Sequence, residues 1–127
     1  MYKDYNVLRN KCMKFSIRIY KFANYLIDEK KAYVIAKQIL KSGTSIGANL
    51  AEAKCAISDA DHLNKIYISY KECSETLYWL ELARNVELIT GDQFKSIYSD
   101  CEEIIKILTK SIKTAKTKLE QKQNAKK

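Results

Sequence analysis

Apolar residues recur along almost the whole chain at alternating intervals of three and four. Leu8, Cys12, Phe15, Ile19, Phe22 and Leu26 form one such series, and Leu63, Ile66, Tyr70, Cys73, Leu77 and Leu80 form another. A further series runs through Phe94, Ile97, Cys101, Ile104, Leu108, Ile112, Ala115 and Leu119. Between the first two lie Ile35, Ile39, Ile46, Leu50, Ala53 and Ile57, which stay in phase when Ser42 is counted as a seam position. Such spacing puts each series on one face of an α-helix, so the pattern predicts four amphipathic helices.

The interruptions are brief. Asp28-Glu29-Lys30-Lys31 breaks the first seam. Ser58-Asp59-Ala60-Asp61 reads as a capping box, with Ser58 as N-cap and the Asp61 carboxylate reaching back. Thr90-Gly91-Asp92 supplies a helix stop and a new cap. Short connections impose antiparallel neighbours, so the expected architecture is all-α, an antiparallel up-down-up-down four-helix bundle. Helices of this length give a rod roughly 40 Å long. Residues 1–115 carry the bundle, whereas residues 116–127 lose the seam and are expected to fray or stay disordered as a basic tail.

The stretch Ser42-Gly43-Thr44-Ser45-Ile46-Gly47-Ala48-Asn49 sits inside the second helix by phase, although its composition suits a loop. The unbroken phase from Ile39 through Ser42 to Ile46 favours one continuous helix. A glycine inside a helix costs about 1 kcal/mol relative to alanine, and close approach of a neighbouring helix is the natural compensation. Asn49 either satisfies its amide at a buried, register-fixing position or is an ordinary boundary residue.

Composition narrows the class. The 127 residues contain no proline and three glycines, too few for a turn-rich β architecture, and 46% are hydrophobic, enough for one folded domain. Cys12, Cys55, Cys73 and Cys101 lie far apart and the chain has one histidine, so closely spaced zinc-ligand pairs are absent. Three of the four cysteines fall on seams and read as small core residues in a reducing cytoplasm. The charges at Lys3, Asp4, Arg9, Lys11 and Lys14 argue against a signal peptide, and no apolar run approaches a membrane span.

Charge is segregated. Residues 1–21 hold six basic residues and one acidic, and residues 113–127 again hold six and one, within a chain of net charge +8. In an up-down bundle the start of the first helix lies beside the end of the last. Lys3, Arg9, Lys11 and Lys14 are therefore expected near Lys110, Lys113, Lys116 and Lys118. Lys11, Lys14, Arg18 and Lys21 form a ridge beside the first seam. The opposite end collects Asp28, Glu29, Glu87 and Asp92. Such a basic end reads either as a phosphate-contacting surface for RNA or DNA or as a merely solvated face. The third helix carries a second apolar line, Ile68, Trp79, Leu82, Val86 and Ile89, which reads either as an oligomer interface or as broad burial within the chain.

No catalytic pattern emerges. Gly43 to Gly47 lacks the spacing and lysine of a phosphate loop. His62, the only histidine, reads as an exposed first-turn residue, and the Glu-x-x-His pairs of diiron bundles are missing. The expectation is a chain that is no enzyme and holds no cofactor and no metal.

Two blocks carry a family resemblance: Lys41 to Ala53, and, after Ser58, Lys71-Glu72 with Glu75-Thr76-Leu77-Tyr78-Trp79-Leu80-Glu81-Leu82. Together they resemble the four-helix-bundle proteins encoded in intervening sequences of bacterial 23S rRNA genes, across roughly residues 8–115. That family commonly has Arg where this chain has Lys41 and Glu where it has Leu77. The resemblance implies a ring-like homo-oligomer, a pentamer, without enzymatic activity. It implies packing and assembly roles for Ser42, Gly43, Ile46, Gly47, Asn49, Glu52, Glu72, Glu75 and Trp79. The accessory variability proteins of diversity-generating retroelements are a related bundle that binds nucleic acid and a reverse transcriptase. The partners expected are thus other copies of the chain and RNA or DNA, or instead a protein such as a reverse transcriptase or ribosome-associated factor; no membrane is expected.

Overall fold

The computed structural model describes the backbone of residues 2–126 and the side chains of residues 5–126. Four α-helices follow one another: α1 (Tyr2–Asp28), α2 (Tyr33–Ala53), α3 (Asp59–Asn85) and α4 (Gly91–Ala125). No strand occurs among the described residues. All four helices contribute to one core, with Leu8, Ile19, Ile39, Leu80, Ile104 and Leu108 among its buried members.

Local chemistry accounts for the boundaries. Ser58 accepts a hydrogen bond from the Asp61 N–H at 3.1 Å, and the Asp61 carboxylate accepts from the Ile57 N–H at 3.2 Å. The reach-back therefore falls one residue earlier than in the predicted box. Thr90 and Gln93 form a reciprocal capping box at the start of α4. α1 and α3 are followed by left-handed residues that are not glycine, Lys31 (φ 54°) and Glu87 (φ 62°). The Leu88 N–H then bonds back to the Ala83 carbonyl at 2.9 Å, a Schellman ending for α3.

The second helix is continuous through Ser42–Ser45. Its small residues face two neighbours. Toward α1, a Cβ on Gly43 would stand 2.8 Å from Ile19 Cγ2, and one on Gly47 would stand 3.2 Å from Cys12 Cβ. The missing side chains are what admit α1. Toward α3, buried Ser42 lies 2.9 Å from the Thr76 hydroxyl, and the Ser69 hydroxyl donates to the Ile46 carbonyl at 2.7 Å. Each of the three hydroxyls has a hydrogen-bond partner within the chain, as burial demands.

Two expectations change. Ile57 is no seam residue: α2 ends at Ala53, and Ile57 lies in the connection, 94% exposed, with its N–H committed to Asp61. The segment from residue 116 does not fray but continues α4 to Ala125. Lysine, glutamine, glutamate and alanine favour helix without any apolar seam. Lys116 lies over the Tyr67 ring, 5.3 Å from its centroid, and Lys122 pairs with Asp59, so this segment is tied to α3.

Contacts along α2 and α3 pair Glu52 with Lys65, Ile46 with Ser69 and Ser42 with Thr76, so numbers fall on one helix as they rise on the other. Lys11 with Glu103 and Arg18 with Asp100 do the same across α1 and α4. That last seam is the least intimate of the helix contacts, and its hydrogen bonds all come from the cations Lys11 and Arg18, to Glu103, Asp100 and Ser96.

Candidate nucleic-acid interface

The predicted cations divide into two sets. Arg9, Lys14, Lys21, Lys110 and Lys113 are exposed and make no ion pair among the described residues. The others are engaged. Lys11 meets Glu103 at 2.5 Å, and Arg18 meets Asp100 and the Ser96 hydroxyl, each at 2.7 Å. These two fasten α1 to α4. Lys116 is held over Tyr67, which raises its pKa, and Lys118 is engaged as well. The side chain of Lys3 lies outside the described residues. Continuation of α4 adds Lys122 and Lys126 to this surface, of which Lys122 neutralises Asp59 and holds its carboxyl below the usual range. Lys54, over the Tyr5 ring at 5.7 Å, is a further cation that periodicity did not single out.

The motif residues are mostly structural. Ser42, Gly43, Ile46 and Gly47 form the α2 crossing described above. Asn49 donates to the Ser45 carbonyl of its own helix at 2.8 Å, which makes it the boundary residue of the two alternatives. Glu52 pairs with Lys65 at 2.9 Å. Glu75 accepts from the Trp79 indole N–H at 3.1 Å. Glu72 is half-buried beside Glu75, and burial, then that like charge, raises its pKa.

His62 is half-buried and not an exposed first-turn residue. Its Nδ1 lies 2.9 Å from the Ala53 carbonyl, so the ring donates to the last carbonyls of α2. No group of three His, Cys, Asp or Glu residues is placed to hold a metal ion among the described residues. No helix there is long and apolar enough to cross a membrane.

Two apolar surfaces escaped the seams. On the outer face of α1, Met13, Ile17 and Tyr20 are 60%, 50% and 58% exposed. Between the start of α2 and the end of α3 lies a groove of about 430 Å³, lined by Tyr33, Val34, Trp79, Leu82, Val86 and Leu88 among others. The second apolar line of α3 supplies part of it. Ile89, assigned to that line, is instead buried, because the chain has already left the helix and turned inward. Residues 33 and 34 sit out of phase with Ile35 and Ile39, which was the signal available for the groove's other wall.

An ordered set of buried small residues within an all-α frame of four helices defines the class of fold. Residues 4–110 match the model of the 23S rRNA-intervening sequence protein family, and the chain belongs to that family. A protein of unknown function from the S23 ribosomal protein family of Bacteroides thetaiotaomicron, solved at 1.70 Å, superposes with a TM-score of 0.85 at 48% identity. The match covers 87% of this chain and 98% of that one. No curated protein matches the chain.

Proposed function

We propose that the chain is a non-enzymatic cytoplasmic protein that binds structured RNA or DNA through the basic end of α1 and α4. Its copies form a ring-like homo-oligomer, a pentamer, of antiparallel up-down-up-down bundles. The observation that supports nucleic-acid binding is the set of exposed cations without a counter-ion among the described residues, Arg9, Lys110 and Lys113 toward that end, with Lys14 and Lys21 further along α1. Cations already neutralised by carboxylates release no condensed counterions from a phosphate backbone, whereas these do. A ring repeats the patch, and repetition can raise a weak affinity by about two to four orders of magnitude.

Binding of a fluorescent structured RNA across a salt series tests the reading. Micromolar or tighter binding at low salt that weakens steeply as salt rises is the expected result. Absence of binding even at low salt overturns it. The second reading, a protein-interaction adaptor for a partner such as a reverse transcriptase or ribosome-associated factor, draws on the open apolar groove of α2 and α3. Deleting residues 113–127 separates the two, since it removes cations and leaves the groove.

A further inference from the structure

The helix pair α1 and α2 is almost empty of carboxylates. Residues 5–27 and 33–51 together hold seven basic residues and no acidic one. The carboxylates that α4 turns toward α1, Glu103 and Asp100, are already taken by Lys11 and Arg18. Glu52, at the far end of α2, is held by Lys65 of α3. The outer face of α1 therefore presents cations with nothing beside them to neutralise them, and it presents more than cations. Arg9 lies toward one edge of the exposed stripe of Met13, Ile17 and Tyr20, and Lys14 and Lys21 run along the other. Exposed Asn10 stands one turn before this stripe and exposed Asn24 one turn after it. By helical spacing all of these lie away from Cys12, Phe15 and Ile19, which face the core.

Cations alone suffice to hold a duplex, whose bases are stacked inside and whose outer surface is phosphate and sugar. Tyrosine, methionine and isoleucine set between the cations gain nothing from such a partner. An unpaired strand is different. Its bases are free to lie on aromatic and apolar side chains while its phosphates meet the cations, and every base has a π-face to offer. Amides in line with the stripe then meet base edges that pairing no longer occupies. An anionic lipid surface also suits an apolar stripe edged by lysines, but it would press the Asn10 and Asn24 amides toward the acyl boundary, and three apolar side chains are little to set against that cost. We propose that the outer face of α1 binds an unpaired strand of nucleic acid. Tyr20 is the stacking platform, Ile17 and Met13 extend it, and Arg9, Lys14 and Lys21 take the phosphates. Arg9 to Lys21 spans about 18 Å of helix, room for about five nucleotides at stacked spacing. This rests on the nucleic-acid reading given above and adds to it the kind of strand, with ribose or deoxyribose left to the test.

Fluorescence anisotropy of the full chain at low salt makes that test, with three probes: a fully paired RNA duplex, and uridine and thymidine oligomers of about twelve nucleotides. At least one oligomer is expected to bind, and the one that binds more tightly assigns the sugar. Tyr20→Ala should weaken that binding about fivefold or more, whereas Tyr20→Phe, which keeps the ring, should stay within about twofold of wild type. Lys14→Gln with Lys21→Gln should flatten its salt dependence. These positions are exposed, so matching helical circular dichroism serves as the folding control. Irradiating a 5-bromouridine oligomer on the protein should attach it to the peptide that holds Tyr20. Duplex binding without oligomer binding overturns the single-strand site and leaves the nucleic-acid reading standing. Absence of binding to all three probes overturns both. Oligomer binding that is indifferent to Tyr20→Ala overturns the site, and so does binding to phosphatidylserine vesicles, lost in Tyr20→Ala, by a chain that ignores the oligomers.

Discussion

At Gly43 the space for a methyl group is already occupied. An alanine there gains about 1 kcal/mol of helix propensity but drives its Cβ to 2.8 Å from Ile19 Cγ2, in a core where overpacking costs about 1–3 kcal/mol. Gly43→Ala is therefore expected to lower the urea-unfolding midpoint. Gly47→Ala meets Cys12 Cβ at 3.2 Å, a milder contact that the propensity gain offsets, and should leave the midpoint within about 0.5 kcal/mol of wild type. The cysteines behave as the seams predicted for three of them, with Cys12, Cys73 and Cys101 buried and Cys55 exposed. Burial pushes the Cys12 thiol up to about 12, and a hydrogen bond with Cys73 followed by burial raises Cys101 further. A thiol-reactive dye should thus label one site in the native chain and four in denaturant. The same shift carries a sign: the unfolded thiol loses its proton near 9.0 while the folded one keeps it. This contribution is intact below pH 9 and is lost as pH rises from about 9 toward 12, which chemical denaturation at stepped pH measures.

For the helices themselves, the periodicity was a sufficient guide to number and order. On α3, however, the buried face runs through Ile66, Ser69, Cys73, Thr76, Leu80 and Ala83, so that Leu63, Tyr70 and Leu77 of the predicted seam are only half-buried and two small hydroxyl residues take the core positions. The same rule misjudged both ends where no stripe was involved. Ile57 kept the phase of α2, but backbone capping at Ser58 and Asp61 claimed its amide first. The end of α4 lacked a stripe yet stayed helical through intrinsic propensity and the side-chain ties from Lys116 and Lys122. The caps are testable alone. Thr90→Ala removes one half of the α4 capping box and should cost about 1 kcal/mol, read as a melting temperature lower by roughly 3–6 °C. Among the described residues that truncation after residue 115 removes, all are exposed except half-buried Leu119, and the truncation should change the melting temperature less than the Thr90 variant does.

For the molecule as a whole, charge segregation was legible from residue counts, whereas the division of cations into engaged and unpartnered sets was not. That division depends on which carboxylates α4 turns toward α1, and one helix's periodicity says nothing about its neighbour's rotation. The groove was hidden for a similar reason, since each wall lies on a different helix and neither is a seam. Lys110→Glu with Lys113→Glu should weaken RNA binding at low salt at least tenfold and flatten its salt dependence, while Lys11→Gln, which loses only a tie to Glu103, should bind nearly as wild type. The narrow crossing of α1 over α2 also governs how this molecule can change across generations. Bulk cannot be added at position 43 unless it is given up at position 19, so the two sites are expected to exchange volume together, Gly43→Ala rescued by Ile19→Val or Ile19→Ala. The exposed outer face of α4 carries no such obligation. Lineages of this fold should therefore show linked substitutions along one helix pair and nearly independent drift along the other side.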